Sequence, residues 1–337
     1  MINYVYQLVS PHVFSLKYEE VDFKKEVIIR QKCMAVCHAD QRYFLGRRDA
    51  KILRQKLPMA LIHECCGQVV WDGTGSFQRG QKVVLIPNVP GRDDGVTYEN
   101  YAEGSRFLSS GCDGFMREYV NLSPDRVVPF EQVPLPVAAI TEFVSVAVHA
   151  AGRFMRAAHT RRETIGVWGD GSLAYVVCCV LRQLLPESRI FVVGKHERKL
   201  LQFSFADRTF LFDSLPEGFH IDHAFECTGG EGSYYAIDDI ITAVRPQGAV
   251  MLMGVSENRV PVRTRDILEK GLTFTGCSRS GREDFVKAVE LMEQPQFQKR
   301  LSAIIYEDRP VHTVADLSRV FETYLTTPFK TVFRWEI

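Results

Sequence analysis

No apolar run in this chain approaches the roughly 20 residues that a membrane-spanning helix needs, so a membrane protein of the helical kind is not expected. The first thirteen residues hold no basic segment followed by an apolar stretch, and a secretory signal is not expected either. Neither sign of charge is in excess, with 41 lysines and arginines against 41 acids. No global field would gather nucleic acid, and an anionic substrate would have to meet a local basic pocket. A disulfide framework is also not expected. The nine cysteines are an odd number, and Cys178, Cys179, Cys227 and Cys277 lie inside apolar runs, as reduced core thiols of the cytoplasm do. No internal repeat and no low-complexity segment interrupts the chain.

What is there suits an ordinary folded protein of two domains: 337 residues, 46% hydrophobic and 24% charged. The first 130 or so residues read as short strands parted by turns. Examples are 26–30 (EVIIR), 67–71 (GQVVW) and 82–86 (KVVLI), with turn signals at Asp72-Gly73-Thr74-Gly75 and Arg79-Gly80-Gln81. The apolar stretch 135–150 predicts a helix leading into a second domain. From Thr164 strands and helices alternate, with strands expected at 164–168, 189–193, 208–212, 221–226, 249–253 and 272–276. Several are continuously apolar, as buried parallel strands should be. The α/β fold class follows, with a doubly wound parallel sheet. From about Ser280 a helix is expected, then a strand at 330–336 (KTVFRWE) placed to rejoin the first domain.

The first strand of the alternating region runs into Gly169-Asp170-Gly171-Ser172-Leu173-Ala174, a G-x-G-x-x-A between strand and helix. Such glycines allow a tight turn and close approach of a pyrophosphate, which the N–H groups of the helix start would hold. Gly169, Gly171, Ser172 and Leu173 are therefore candidate cofactor contacts. The end of the second strand, Gly194-Lys195-His196-Glu197-Arg198-Lys199, carries no acid at its tip and three cations just after it. An NAD site places an acid there for the ribose 2′-hydroxyl. Lys195 and Arg198 suit a 2′-phosphate instead, which favours NADP. The other reading makes these cations a solvated helix start and gives the ribose hydroxyls to Glu197.

The β-rich half holds Cys37-His38-Ala39-Asp40, His63-Glu64 and, further on, Glu142. None is telling alone. Together they match a zinc site with separated ligands and an open coordination position, as a catalytic metal requires.

The order Cys37, His63-Glu64, Glu142 and then Gly169–Ala174 resembles the zinc-dependent medium-chain dehydrogenase/reductase family over essentially the whole chain. Thr141-Glu142, within Ile-Thr-Glu-Phe-Val-Ser-Val, resembles its polyol dehydrogenase branch, in which glutamate replaces a second cysteine. The resemblance is closer still to the ribulose-5-phosphate reductases (ribitol-5-phosphate 2-dehydrogenases) that supply CDP-ribitol for polymers such as teichoic acid. The matching stretches are Ala39-Asp40-Gln41-Arg42-Tyr43, Lys56-Leu57-Pro58-Met59 before Ile62-His63-Glu64, Trp168-Gly169-Asp170-Gly171, Asp222-His223-Ala224-Phe225-Glu226-Cys227 and Ser278-Arg279-Ser280-Gly281.

The resemblance implies a GroES-like catalytic domain at 1–145 with 280–337, and a Rossmann domain at 146–279. It implies one zinc ion on Cys37, His63 and Glu142, with Glu64 as fourth ligand or neighbour, and NADPH as reductant. Zinc would polarise a ketone, and Asp40 would hold a ligand in place. Two departures matter. Residues 87–114 contain only Cys112, so the family's second, four-cysteine zinc cannot form in the usual way. Ala39 stands where many relatives carry a proton-relaying Ser or Thr, which leaves Tyr43, or a chain of water, to deliver the proton. For the substrate phosphate, Arg42 and Arg47 after the zinc cysteine and Arg279 after the last strand are the candidates. The implied reaction is reduction of ribulose 5-phosphate to ribitol 5-phosphate in the cytoplasm, by a homodimer whose product goes to a cytidylyltransferase. The alternatives are a sorbitol-type polyol dehydrogenase and a zinc-less nucleotide-binding sensor. The full ligand set argues against the sensor.

Overall fold

The segment Thr164–Trp168 (TIGVW) is buried at all five positions, so both faces of its strand must be covered, which is the situation of a central parallel strand. In the computed structural model, which describes residues 2–337 except Asp22 and Lys25, it sits near the middle of a six-stranded sheet. Numbered along the chain, the strands are Thr164–Trp168, Arg189–Gly194, Arg208–Leu211, His223–Glu226, Ala249–Leu252 and Thr273–Gly276. Their order across the sheet is 3-2-1-4-5-6, and every pairing is parallel. This is the Rossmann order, and ligands of such sheets bind beyond the carboxyl ends of the strands, where the order reverses. Trp168, opposite Val193 and Glu226, is the last paired residue of the first strand there.

The chain divides into two compact units, Met1–Ser145 with Ser280–Ile337, and Val146–Arg279. The second contains the Rossmann sheet. The first is β-rich. Its seven-stranded sheet is centred on Val27–Ala35, which pairs antiparallel with Glu64–Asp72 on one side and with Lys330–Arg334 on the other. Ala35 lies opposite both Glu64 and Val332. One end of the central strand thus gathers three segments distant in sequence, and the metal-ligand candidates lie there. Val27, Ile29, Met34, Val69, Val83 and Phe333 belong to the apolar core of this unit.

The stretch 135–150 forms two helices, Leu135–Ala138 and Thr141–Ala157, where one was expected. The Thr141 hydroxyl donates to the Ala138 carbonyl at 2.7 Å, closing the first helix and freeing the second to start afresh. The break places Glu142 in the first turn of the long helix.

Candidate active site

Cys37 lies between the central strand and the short helix His38–Phe44, and its backbone N–H faces Asp40 Oδ2 at 3.3 Å. His63 immediately precedes the strand Glu64–Asp72. The residue before it, Ile62, has φ +69, a left-handed conformation that a β-branched side chain rarely adopts. Two bonds hold it there: its N–H donates to Asp40 Oδ1 at 3.0 Å, and its carbonyl accepts from the Phe115 N–H at 2.7 Å. Such strain is found where function over-determines the backbone, and here it directs the next residue, His63, toward Cys37. The Cys37 sulfur, a His63 ring nitrogen and a Glu64 carboxylate oxygen all lie within 4.8 Å of one another.

The surroundings of this trio are buried and charged. Asp40 is fully buried; its Oδ2 faces His63 Nδ1 at 3.4 Å, and its Oδ1 accepts from Ser109 Oγ at 2.5 Å. Burial alone would raise the Asp40 pKa, but His63 and the hydrogen bonds from Ser109 and Ile62 hold it below the usual range. Glu64 Oε1 accepts from Lys330 Nζ at 2.5 Å, and Lys330 also donates to the Val36 carbonyl and lies over the Phe143 ring. Burial works against the charge on Lys330, but Glu64 outweighs it and holds the ammonium above its ordinary value. Glu64 Oε2, equally buried, has no hydrogen-bond partner among the described residues. Glu142 is buried beside them. Burial pushes its carboxyl up to about 7, with Glu64 adding and His63 opposing. Burial disfavours charge on His63, yet Asp40 and Cys37 raise it well above its ordinary value.

This is an electron-rich pocket: a thiol, an imidazole that attracts a proton, one orphaned carboxylate oxygen and a carboxyl forced toward neutrality. A buried divalent cation would answer each of these, and the donor set is the one zinc takes. The residues therefore fit the metal. Glu142 lies outside the trio that meets within 4.8 Å.

The dinucleotide fingerprint has the geometry its sequence needs. Gly169 has φ +131, and a Cβ there would lie 2.9 Å from the Cys227 carbonyl. Gly171 begins the helix Ser172–Leu184, and a Cβ on it would meet nothing within 4 Å. That open cradle, with Ser172 and Leu173 in the first helical turn, fits a pyrophosphate. Lys195 and Arg198 are exposed at the end of the second strand.

The other candidates fall as follows. Arg42 is half-buried on the helix His38–Phe44, and Arg47 is exposed just after it. Arg279, the last residue of the Rossmann unit, is half-buried and has φ +58. Tyr43 packs in the apolar core, 1% exposed, with the Arg48 guanidinium over its ring, and its hydroxyl has no partner among the described residues. Ser109 and Lys330 are site residues that the sequence reading missed. Lys330 is 266 positions from Glu64, and no local spacing signals either.

The profile of the alcohol dehydrogenase GroES-like domain matches residues 24–133, and that of the zinc-binding dehydrogenases matches 189–294. The chain is 53% identical to a ribulose-5-phosphate reductase of Streptococcus pneumoniae, covering 100% of this chain and 98% of the relative. It is 47% identical to ribulose-5-phosphate reductase 1 of Staphylococcus aureus, covering 99% of each. Among solved structures, that of S. aureus TarJ in complex with NADPH superposes with a TM-score of 0.89 at 42% identity, covering all of both chains.

Proposed function

This chain belongs to the zinc-binding, medium-chain dehydrogenases, and we propose that it reduces D-ribulose 5-phosphate to D-ribitol 5-phosphate with NADPH. The observation that carries the reading is the buried trio of Cys37, His63 and Glu64 with an orphaned carboxylate oxygen, in a chain alike from end to end to ribulose-5-phosphate reductases. The relative solved with NADPH supports the choice of reductant.

Cys37 as thiolate, His63 and Glu142 would hold the zinc ion, with Glu64 as a further ligand or its close neighbour. When bound, zinc supplies a Lewis acid for the ketone oxygen. Asp40, whose Oδ2 lies 3.4 Å from His63 Nδ1, would orient the ring from that side and leave the other nitrogen to coordinate. Lys330 neutralises Glu64, so that its carboxylate does not stand unpaired when it is off the metal. Gly169, Gly171, Ser172 and Leu173 seat the pyrophosphate, and Lys195 and Arg198 favour the 2′-phosphate. Ala39 has no proton to give. The unpartnered Tyr43 hydroxyl is our candidate to meet the substrate oxygen. Arg279, with Arg42 or Arg47, would grip the substrate phosphate.

The same reading extends to the enzyme's setting. The product would pass to a cytidylyltransferase making CDP-ribitol, and the enzyme would work as a cytoplasmic homodimer. No helix among the described residues is long and apolar enough to cross a membrane.

Steady-state assays with ribulose 5-phosphate and ribulose, each with NADPH and NADH, test the proposal. The phosphorylated ketose with NADPH should give the highest kcat/KM. Equal turnover of ribulose would replace this reading with a polyol dehydrogenase.

A further inference from the structure

Asp170, the variable residue inside the fingerprint, does not point idly into solvent. Its Oδ2 accepts the backbone N–H of Lys195 at 2.8 Å and that of His196 at 2.6 Å, and lies 2.9 Å from His196 Nδ1. Three donors thus converge on one oxygen, and the fingerprint loop is tied to the end of the second strand. The approach is close enough to dictate the residue beneath it: a Cβ on Gly194 would lie 2.6 Å from the Asp170 Cβ and 2.9 Å from Leu200 Cδ2. The Asp170 side chain is 11% exposed and that of His196 is 56% exposed.

The position matters because a ribose-reading acid normally stands at this strand end. Here the acid comes from the neighbouring loop, and its oxygen is already taken by the strand end itself. Asp170 engages Nδ1 of this exposed ring, which leaves Nε2 for a ligand, and in the sequence Lys195 precedes His196 while Arg198 and Lys199 follow it.

We propose that His196, held by Asp170, reads the adenosine 2′-phosphate of the cofactor, donating from Nε2, with Asp170 as its positioning residue. The inference rests on the NADPH reading above and adds two residues to it.

Calorimetric titration of the full chain with adenosine 2′,5′-bisphosphate and with 5′-AMP tests this without turnover. The unaltered chain should bind the bisphosphate at least about tenfold more tightly, the size of a charge-assisted contact. His196→Gln should lose about tenfold of that margin while its affinity for 5′-AMP is unchanged, and His196→Arg should restore most of it. Asp170→Asn, which keeps an acceptor for the two backbone N–H groups, should lose part of it. If His196→Gln keeps the whole margin, or loses both ligands equally, the inference fails while the cofactor reading stands. If the unaltered chain shows no margin, the NADPH reading fails with it.

Discussion

A carboxylate shut away from water stays ionised only where donors surround it, and Asp40 is met by the N–H groups of Cys37 and Ile62, the Ser109 hydroxyl and the His63 ring. Its role is to set the ring, so replacing its charge should loosen the metal more than the fold. Asp40→Asn should lower zinc affinity by about 10–100-fold, the usual cost of losing a group that orients a ligand. Competition with a chromophoric chelator reads this directly, and unchanged affinity would remove Asp40 from the site. Tyr43 allows a test with opposite signs. A buried hydroxyl without a partner costs stability, so Tyr43→Phe should leave the melting temperature unchanged or raise it. If the hydroxyl meets substrate, kcat should fall by about 10²-fold or more, as for a lost proton donor. Stability and kcat both unmoved would make Tyr43 purely a core residue. Arg279 is tested by substrate choice. Arg279→Ala should lower kcat/KM for ribulose 5-phosphate at least about tenfold and change that for ribulose far less. Equal losses would place the phosphate pocket elsewhere.

Elements differ in how openly the sequence announces them. The central Rossmann strands are legible because burial on both faces demands continuous apolar runs, and Thr164–Trp168 is anticipated to the residue. The hairpin of Ile2–Ser10 and Val13–Glu20 was not singled out. Its two-residue turn is Pro11-His12, with His12 at φ +62, and lacks the Asn-Gly or Asp-Gly signal of such turns. In the site, Cys37, His63 and Glu64 were legible as a spaced set of ligand-type residues. Ser109 and Lys330 were not, because a hydroxyl and a lysine become site residues only when folding brings them to Asp40 and Glu64. The fourth Rossmann strand, His223–Glu226, carries a further consequence of burial. His223 Nδ1 accepts from the Ala249 N–H at 3.0 Å, and its Nε2 lies 2.9 Å from the Arg161 carbonyl. Burial, with His159 adding, holds its pKa at about 4, below the ordinary 6.5. A base harder to protonate folded than unfolded makes the unfolded chain bind more protons, so stability falls as pH drops from 6.5 toward 4. The gap amounts to roughly 3 kcal/mol. His223→Gln should flatten that part of the curve. Urea unfolding at pH 7 and pH 5 measures it, and an unchanged difference would acquit His223.

On the scale of the whole molecule, the residues that fit the metal and those that fit the dinucleotide belong to different units. Cys37, His63, Glu64 and Glu142 lie in the unit Met1–Ser145 with Ser280–Ile337; Gly169, Gly171, Lys195 and Arg198 lie in Val146–Arg279. Each unit has its own sheet and its own buried apolar cluster. Damage to one site should therefore spare the other. Among the described residues one trio gathers as metal ligands, and Cys112 is the single cysteine of residues 87–114. One zinc per chain is expected, and Cys37→Ser should carry much less, because a serine hydroxyl is a poor replacement for a thiolate. The variant should lose turnover yet bind NADPH within about twofold of the unaltered protein, inside the usual scatter for independent sites. Metal analysis by mass spectrometry and a fluorescence titration with NADPH settle both halves on one sample. Two zinc ions per unaltered chain would disprove the account of the Cys112 region. A parallel loss of NADPH affinity would show that the metal holds up the dinucleotide unit as well as the chemistry.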